Sequence, residues 1–230
     1  MASGRVTELN VDLPNKGQVS ALLDRPPDAW IMYVLAHGAG AGMRHRFLES
    51  MARALSVRGV ATLRYQFPYM EAGARRPDPP AVAEATVQAA ANLAAKLADG
   101  LPIIAGGKSF GGRMTSGAAA RSLPGVRGLV FLGFPLHPPG KPATDRADHL
   151  DSVQVPMLFL QGTRDQFARL DLISTVCRRL GSRAALHLID DGDHSFGVPK
   201  RTGRSSSEVV DELAEVTVKW ASSAIAGTAR

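Results

Sequence analysis

The sequence contains very little cysteine. Cys177 is the only cysteine among the 230 residues, so no disulfide can form within the chain, and a reducing compartment fits this composition. The first residues lack the apolar core of a secretory signal peptide, and no apolar run approaches the length of a membrane span. We therefore expect a cytoplasmic protein without a membrane partner.

The charged residues also lack the pattern that is typical of nucleic-acid binding. The formal net charge is +6, but the arginines are spread along the chain, without a dense basic run or interleaved aromatic residues. Arginine outnumbers lysine and alanine is abundant, which is associated with GC-rich bacterial genomes. We expect a bacterial protein that binds no nucleic acid.

Apolar runs of strand type alternate with helix-like segments along the chain. Residues 5–13 and 17–24 are two extended segments that Pro14, Asn15 and Lys16 join in a hairpin. The other predicted strands cover 30–36, 60–67, 101–106, 128–132, 156–161 and 184–189. The predicted helices cover 44–58, 81–97, 113–121, 169–180 and a stretch from about residue 207 onward.

This alternation predicts an α/β fold with a mostly parallel central sheet of about eight strands. The first two strands would form an antiparallel hairpin at one edge, and helices would cover both faces of the sheet. The length suits one large α/β domain, so we expect residues 1–230 to form a single domain. The connection between the strands at 128–132 and 156–161 is short, which predicts an open site without a large lid.

A G-x-S-x-G motif lies between a predicted strand and a predicted helix. The motif is Gly107-Lys108-Ser109-Phe110-Gly111, and it follows the apolar run 101–106. A strand that turns sharply into a helix holds its corner residue in a strained backbone, with the side chain exposed above the sheet. Flanking glycines give such a turn room. Ser109 can then act as a nucleophile if a histidine and an acid arrive from later in the chain.

Two later strand ends provide the partners that this serine needs. Asp165 follows the predicted strand at 156–161, and His194 follows the strand at 184–189. Because ligands on parallel sheets lie at the carboxyl ends of the strands, we expect Ser109, Asp165 and His194 to meet there. Their order in the chain is nucleophile, acid, histidine. Three nearby aspartates compete with Asp165 for the role of the acid: Asp190, Asp191 and Asp193.

A glycine-rich loop follows the predicted strand at 30–36. It reads His37-Gly38-Ala39-Gly40-Ala41-Gly42 and can bring a bare backbone N–H group close to a developing oxyanion. We expect the N–H of Phe110 to form an oxyanion hole with that of Ala39, with Gly40 as the alternative second donor. Four further residues are expected near the substrate: His37, which would also brace this loop, His137, Phe67 and Phe196.

Together these motifs resemble the α/β-hydrolases, and more closely the small branch related to dienelactone hydrolases. Within that branch the chain is similar to the testis-expressed-protein-like predicted hydrolases, whose fold also forms part of a histone-acetyltransferase-complex subunit. The resemblance rests on the segments 37–42, 64–71, 107–112, 134–142, 161–165 and 192–196. Dienelactone hydrolases have a cysteine where this chain has Ser109, so their specific substrate does not transfer.

The resemblance implies two-step acyl transfer by a carboxylic-ester hydrolase. Ser109, His194 and Asp165 would act on a small ester or thioester, without a metal ion or an organic cofactor. Two alternatives remain open at this point. The same residues can hydrolyse an amide in a peptidase-type enzyme, or the fold can be a non-catalytic interaction module.

Overall fold

A computed structural model describes residues 6–14 and 16–225 of the chain. Eight strands form one sheet: β1 (Val6–Leu13), β2 (Gly17–Asp24), β3 (Ile31–Ala36), β4 (Val60–Tyr65), β5 (Ile103–Lys108), β6 (Val126–Leu132), β7 (Met157–Gly162) and β8 (Ala184–Ile189). Six α-helices accompany them: α1 (Arg46–Ser56), α2 (Pro68–Glu71), α3 (Pro80–Leu97), α4 (Phe110–Arg121), α5 (Leu170–Leu180) and α6 (Ser206–Ala224).

The strand order across the sheet is β1-β2-β4-β3-β5-β6-β7-β8. Strand β1 pairs antiparallel with β2, and β2 pairs antiparallel with β4. The remaining neighbours are parallel. The predicted α/β fold, with its mostly parallel sheet and its N-terminal antiparallel hairpin, is therefore confirmed. The predicted strand start at Arg5 and the turn residue Asn15 lie outside the described residues.

The sheet separates two apolar cores, as a sheet covered on both faces requires. Helices α1 and α6 pack on one face, where Leu48 and Leu213 are fully buried. Helices α3, α4 and α5 pack on the other face around Val87, Met114 and Ile173. Strands β3 and β4 are buried along their whole length, because both of their faces meet helices. In the described part of the chain, no helix is long and apolar enough to cross a membrane.

Four short helices were not predicted from the sequence: α2 and the 3₁₀ helices Asp145–Ser152, Gly181–Arg183 and Lys200–Thr202. Strand β4 ends at Tyr65 rather than at residue 67, because Pro68 begins the short helix α2 and Phe67 is its N-cap. The connection between β6 and β7 contains a 3₁₀ helix, Asp145–Ser152, and no larger insertion. Within the described residues, no lid domain therefore covers the carboxyl edge of the sheet.

The end of β5 has no room for side chains beside its two neighbouring strands. Gly106 and Gly107 have φ angles of 151° and 153°. Residues other than glycine rarely adopt this backbone conformation. A Cβ atom on Gly106 would overlap the carbonyl group of Val130 in β6, and one on Gly107 would overlap that of Ala36 in β3. These two glycines therefore let β5 reach the turn before α4 without forcing its neighbours apart.

Candidate active site

Ser109 occupies a strained position between β5 and α4. Its φ and ψ angles are 49° and −112°, and it is the N-cap residue of α4. Its N–H donates to the carbonyl oxygen of Leu132 at 3.1 Å. Such angles are costly for a residue with a side chain, so they persist only where the surroundings hold the backbone. The turn presents the hydroxyl at the carboxyl end of the sheet.

The structure joins Ser109, His194 and Asp165 in one hydrogen-bonded chain. The Nε2 atom of His194 lies 2.8 Å from Oγ of Ser109. Its Nδ1 atom lies 2.7 Å from Oδ2 of Asp165. An ionised carboxylate only accepts hydrogen bonds, so Nδ1 carries the hydrogen and Nε2 presents a lone pair to the serine hydroxyl. This is the arrangement in which a histidine can take the serine proton.

The carboxylate of Asp165 is fully buried and held by further donors. Its Oδ1 accepts the N–H of Phe167 at 2.7 Å, and its Oδ2 accepts Nε2 of Gln161 at 2.5 Å. Gln161 is itself held, because its Oε1 accepts the N–H of Phe134 at 2.9 Å. Buried charges need such partners. The network therefore holds the carboxylate in place and directed at His194.

The competing aspartates make other contacts. Asp191 pairs with Arg201 at 2.9 Å. Asp193 accepts the N–H groups of Ser195 and Gly197 in its own loop, while Asp190 is exposed. Asp165 is accordingly the carboxylate that meets the imidazole of His194.

Lys108 contacts the loop that carries His194. The sequence pattern did not indicate this contact. Its Nζ donates to the backbone carbonyl oxygen of His194 at 2.5 Å. Burial lowers the pKa of Lys108 to about 8, although the charges of Asp165 and Asp193 act in the opposite direction. On the other side, the ring of Phe167 lies against the imidazole of His194, with ring centroids 4.3 Å apart. The histidine is thus held through its backbone and its ring.

Two backbone N–H groups beside Ser109 are available to an oxyanion. Phe110 is the first residue of α4, where an N–H has no partner within the helix. The N–H of Ala39 makes no hydrogen bond within the described chain. Gly40, the alternative donor, is already engaged, because its N–H donates to the hydroxyl of Tyr69 at 3.0 Å. The N–H groups of Phe110 and Ala39 are thus free in the described chain and that of Gly40 is engaged, while the composition of the oxyanion hole stays a prediction.

His37 braces the glycine-rich loop and does not line the cavity. It is fully buried, and its Nε2 accepts the N–H of Phe67 at 3.1 Å. Its Nδ1 therefore carries the hydrogen and donates to the carbonyl oxygen of Gly38 at 2.8 Å. Burial lowers the pKa of His37 to about 4. The ring is thus neutral and joins the loop to the start of α2.

Two other residues that we expected near the substrate are also buried away from the cavity. Phe67 is fully buried and packs edge-on against the ring of Phe110 at 5.2 Å. His137 is 2% exposed, and its Nε2 accepts the N–H of Arg169 at 3.2 Å. Phe196, by contrast, does line the cavity. The expectation for Phe67, His137 and His37 is corrected because each satisfies the protein's own packing or backbone.

An open cavity of about 1160 Å³ contains Ser109 and His194. Its near part is bordered by the loop 38–41, and its far part extends between α1 and the start of α6. Within the described residues, no group of three or more His, Cys, Asp or Glu side chains is arranged to hold a metal ion.

The neutral state of His37 makes stability sensitive to acid. In the unfolded chain a histidine titrates near 6.5, whereas the pKa of folded His37 is about 4. The unfolded chain alone binds the proton in this window, so the free energy of unfolding falls as the pH falls from 6.5 toward 4. The expected loss from this group is about 3 kcal/mol. Denaturant unfolding at a series of pH values between 6.5 and 4 measures this loss of unfolding free energy.

The matched variant is His37→Gln, whose side-chain oxygen can still accept the N–H of Phe67 but does not titrate. We expect its free energy of unfolding to change less with pH than that of the wild type between pH 6.5 and pH 4. Equal slopes for the two proteins over this window would contradict the burial of a neutral His37.

Comparison with known proteins identifies the fold family. The sequence profile of the alpha/beta hydrolase domain matches residues 30–222. The dienelactone hydrolase of Anabaena variabilis has a similar structure, with a TM-score of 0.78. It is 18% identical, and the match covers 97% of this chain and 99% of the other.

Two further solved structures have the same fold. A serine hydrolase without a lid from Xanthomonas campestris is 21% identical, with a TM-score of 0.73 and coverage of 94% of this chain and 95% of its own. An esterase domain from Rhodothermus marinus is 17% identical, with a TM-score of 0.72 and coverage of 94% and 98%. With the profile match over most of its length, the chain belongs to the alpha/beta hydrolase family.

Proposed function

We propose that this protein is a serine hydrolase that acts on a small ester or thioester, as a carboxylic-ester hydrolase. The observation that carries the proposal is the hydrogen-bonded chain of Ser109, His194 and Asp165, with distances of 2.8 and 2.7 Å. A serine is a weak nucleophile unless an oriented base takes its proton. Here the base is oriented by a buried carboxylate, and the cavity brings a substrate to the serine.

The first half of the reaction forms an acyl-enzyme. Nε2 of His194 takes the proton of Ser109 as Oγ attacks the carbonyl carbon, and Asp165 stabilises the resulting imidazolium. The N–H groups of Phe110 and Ala39 bind the oxyanion that develops on the carbonyl oxygen. His194 then returns the proton to the leaving oxygen or sulfur as its bond to the carbonyl carbon breaks.

The second half releases the acyl group. A water molecule takes the place of the leaving group, and His194 accepts one of its protons as the water oxygen attacks the acyl carbon. The tetrahedral intermediate again places its negative charge in the oxyanion hole. Its collapse breaks the bond to Oγ, returns the proton to Ser109 and frees the carboxylic acid. Each proton transfer uses His194, so its tautomer must be maintained throughout.

The geometry of the site argues against a non-catalytic interaction module. A non-catalytic interaction module has no need of a strained serine, a buried carboxylate and an imidazole in hydrogen-bonded sequence. Backbone strain and a buried charge both lower stability, so they are kept where chemistry requires them. A peptidase-type enzyme would hydrolyse an amide with the same residues. The assay that tests the proposal therefore includes an amide substrate.

Several broader expectations belong to this proposal. We infer that residues 1–230 form one alpha/beta hydrolase domain of a bacterial, cytoplasmic protein that binds no nucleic acid. The single cysteine and the scattered arginines support this inference. The narrower similarity to testis-expressed-protein-like hydrolases stays a prediction that rests on the sequence motifs.

Replacement of the nucleophile tests the proposal. Hydrolysis of p-nitrophenyl acetate, of a thioester and of an amide is measured for the wild type and for Ser109→Ala and Asp165→Asn. We expect Ser109→Ala to lower kcat on the order of 10⁴-fold or more, and Asp165→Asn to lower it about 10⁴-fold because the histidine tautomer is lost.

Two matched variants serve as controls. Ser122→Ala removes an exposed serine at the far end of α4, and Asp190→Asn neutralises an exposed carboxylate near His194 in the chain. Both should keep kcat within about twofold of the wild type, as is usual for exposed positions. Ester hydrolysis by folded Ser109→Ala at the wild-type rate would sink the assignment.

A further inference from the structure

The cavity does not end at Ser109. It continues as a groove between α1 and the start of α6, which we call the α1–α6 groove. One face of α1 forms one wall, at positions that recur every three or four residues. The groove is lined by Phe47, Ser50, Ala54 and Val57 from the α1 side and by Val209 and Val210 from α6.

The floor of the α1–α6 groove is apolar and packed. The rings of Phe47 and Phe196 are stacked, with centroids 5.7 Å apart and planes inclined by 15°. Leu48 and Val209 are each 1% exposed and belong to the core beneath the groove. At the far end Val57 is 61% exposed. The groove therefore leads from buried apolar side chains to an exposed one, and apolar surface rimmed by polar residues is characteristic of a binding site.

The length of the groove follows from the helix that forms its wall. Phe47 lies near the loop 38–41, and Val57 directly follows the last residue of α1. At 1.5 Å per residue, the distance along the helix between these two residues is about 15 Å. This is far longer than an acetyl or butyryl group and comparable with an extended medium-length alkyl chain.

The charges along the rim have both signs. Arg46 and Arg53 line the cavity on the α1 side, and Asp193 and Asp211 line it on the other side. Asp211 also forms an ion pair with Arg58 at 3.3 Å. Because two positive groups on one side face two negative groups on the other, the rim as a whole does not favour one sign of charge. It fits an uncharged chain.

We propose that the α1–α6 groove binds an unbranched apolar chain of the ester whose carbonyl group reacts at Ser109. The inference rests on the proposed serine hydrolase activity and specifies its substrate class: in place of a small ester, the preferred ester carries a medium-length alkyl chain. The chain belongs either to the acyl group or to the alcohol, and the two have the same chemistry in the groove. In either case it lies along α1, with its free end toward Val57.

The expected signature is a dependence on chain length. Complete burial of one methylene group favours binding about fourfold, and a groove that is open on one side buries about half of its surface. We therefore expect kcat/KM to rise about twofold for each methylene group added to the ester, until its alkyl chain extends past Val57. The series runs from p-nitrophenyl acetate through butyrate and octanoate to laurate, below the concentrations at which the esters form micelles. Alkyl acetates of increasing length form the alcohol arm.

Variants along α1 test where the alkyl chain of the ester binds. Ser50 is exposed and lines the groove, so Ser50→Trp should block its middle without disturbing the core. We expect kcat/KM to fall at least tenfold for octanoate and laurate and to stay within about twofold for acetate. Val57→Asp should lower the value for laurate alone, because it places a charge at the far end. Glu49→Trp is the control, since Glu49 is an exposed neighbour that does not line the groove.

The outcomes separate the two proposals. If acetate hydrolysis requires Ser109 but kcat/KM is flat along both series, the groove proposal is wrong and the hydrolase proposal stands. Equal losses in Ser50→Trp and Glu49→Trp would also overturn the groove. If the wild type hydrolyses no ester, or Ser109→Ala hydrolyses acetate as fast, the hydrolase proposal itself fails.

An independent observation concerns Lys108, which is half-buried, lines the cavity and contacts the loop that carries His194. Its Nζ donates to the carbonyl oxygen of His194 at 2.5 Å and lies 5.4 Å from the centre of the Phe196 ring. A Cβ atom on Gly133 would come within 2.9 Å of Nζ. Lys108 lies at the end of β5, directly before Ser109. It therefore joins this strand end to the loop that carries His194, the proposed base for Ser109.

We propose that Lys108 is a positioning residue that keeps His194 within reach of Ser109. It acts through the backbone of His194 and touches no reacting atom. A hydrogen bond from a charged donor is stronger than one between neutral groups. Loss of the bond should let the loop move away from Ser109 and lower the fraction of molecules in which Nε2 faces the hydroxyl.

Lys108→Met, a side chain of similar length without the ammonium group, tests this role. We expect kcat for p-nitrophenyl acetate to fall about tenfold to hundredfold, with KM within about twofold. The Tm should stay the same or rise, because burial of an ammonium group costs free energy. Lys96→Met, at an exposed position in α3, is the control. An unchanged kcat, or a fall in kcat that only accompanies a lower Tm, would overturn the proposal.

Discussion

The close approach of β5 to its neighbours is the constraint on which the rest of the site depends. Gly106 and Gly107 let the strand run against Val130 and Ala36 without side chains between them. The chain can then turn at Ser109 with a φ angle of 49°. This strain persists because pairing on both sides of β5 holds the strand in place. Every other part of the site is arranged around the hydroxyl that the turn presents.

The loops around this serine are held by separate local contacts. Gln161 and the N–H of Phe167 hold the carboxylate, Lys108 holds the loop of the histidine, and His37 holds the glycine-rich loop. None of these contacts joins two of the groups proposed to react. Each instead removes freedom from one of them. Such preorganisation lowers the reorganisation that the reaction itself requires.

Residues at strand ends could be predicted from the sequence, whereas contacts between distant segments could not. Asp165 and His194 were found because parallel strands deliver their carboxyl ends to one edge. The engagement of Gly40 depends on Tyr69 in α2, a helix with only four residues and no periodic signal. The groove depends on the packing of α1 against α6, which are far apart in the chain. Neither follows from local patterns.

Activation of Ser109 is the central claim, and covalent labelling tests it most directly. A fluorophosphonate reacts with a serine whose proton an adjacent base can take, whatever the natural substrate is. Mass spectrometry of the wild type should show one added phosphonyl group on the peptide that contains Ser109, and Ser109→Ala should remain unlabelled. A folded wild type that stays unmodified, or a label on another residue, would contradict the account.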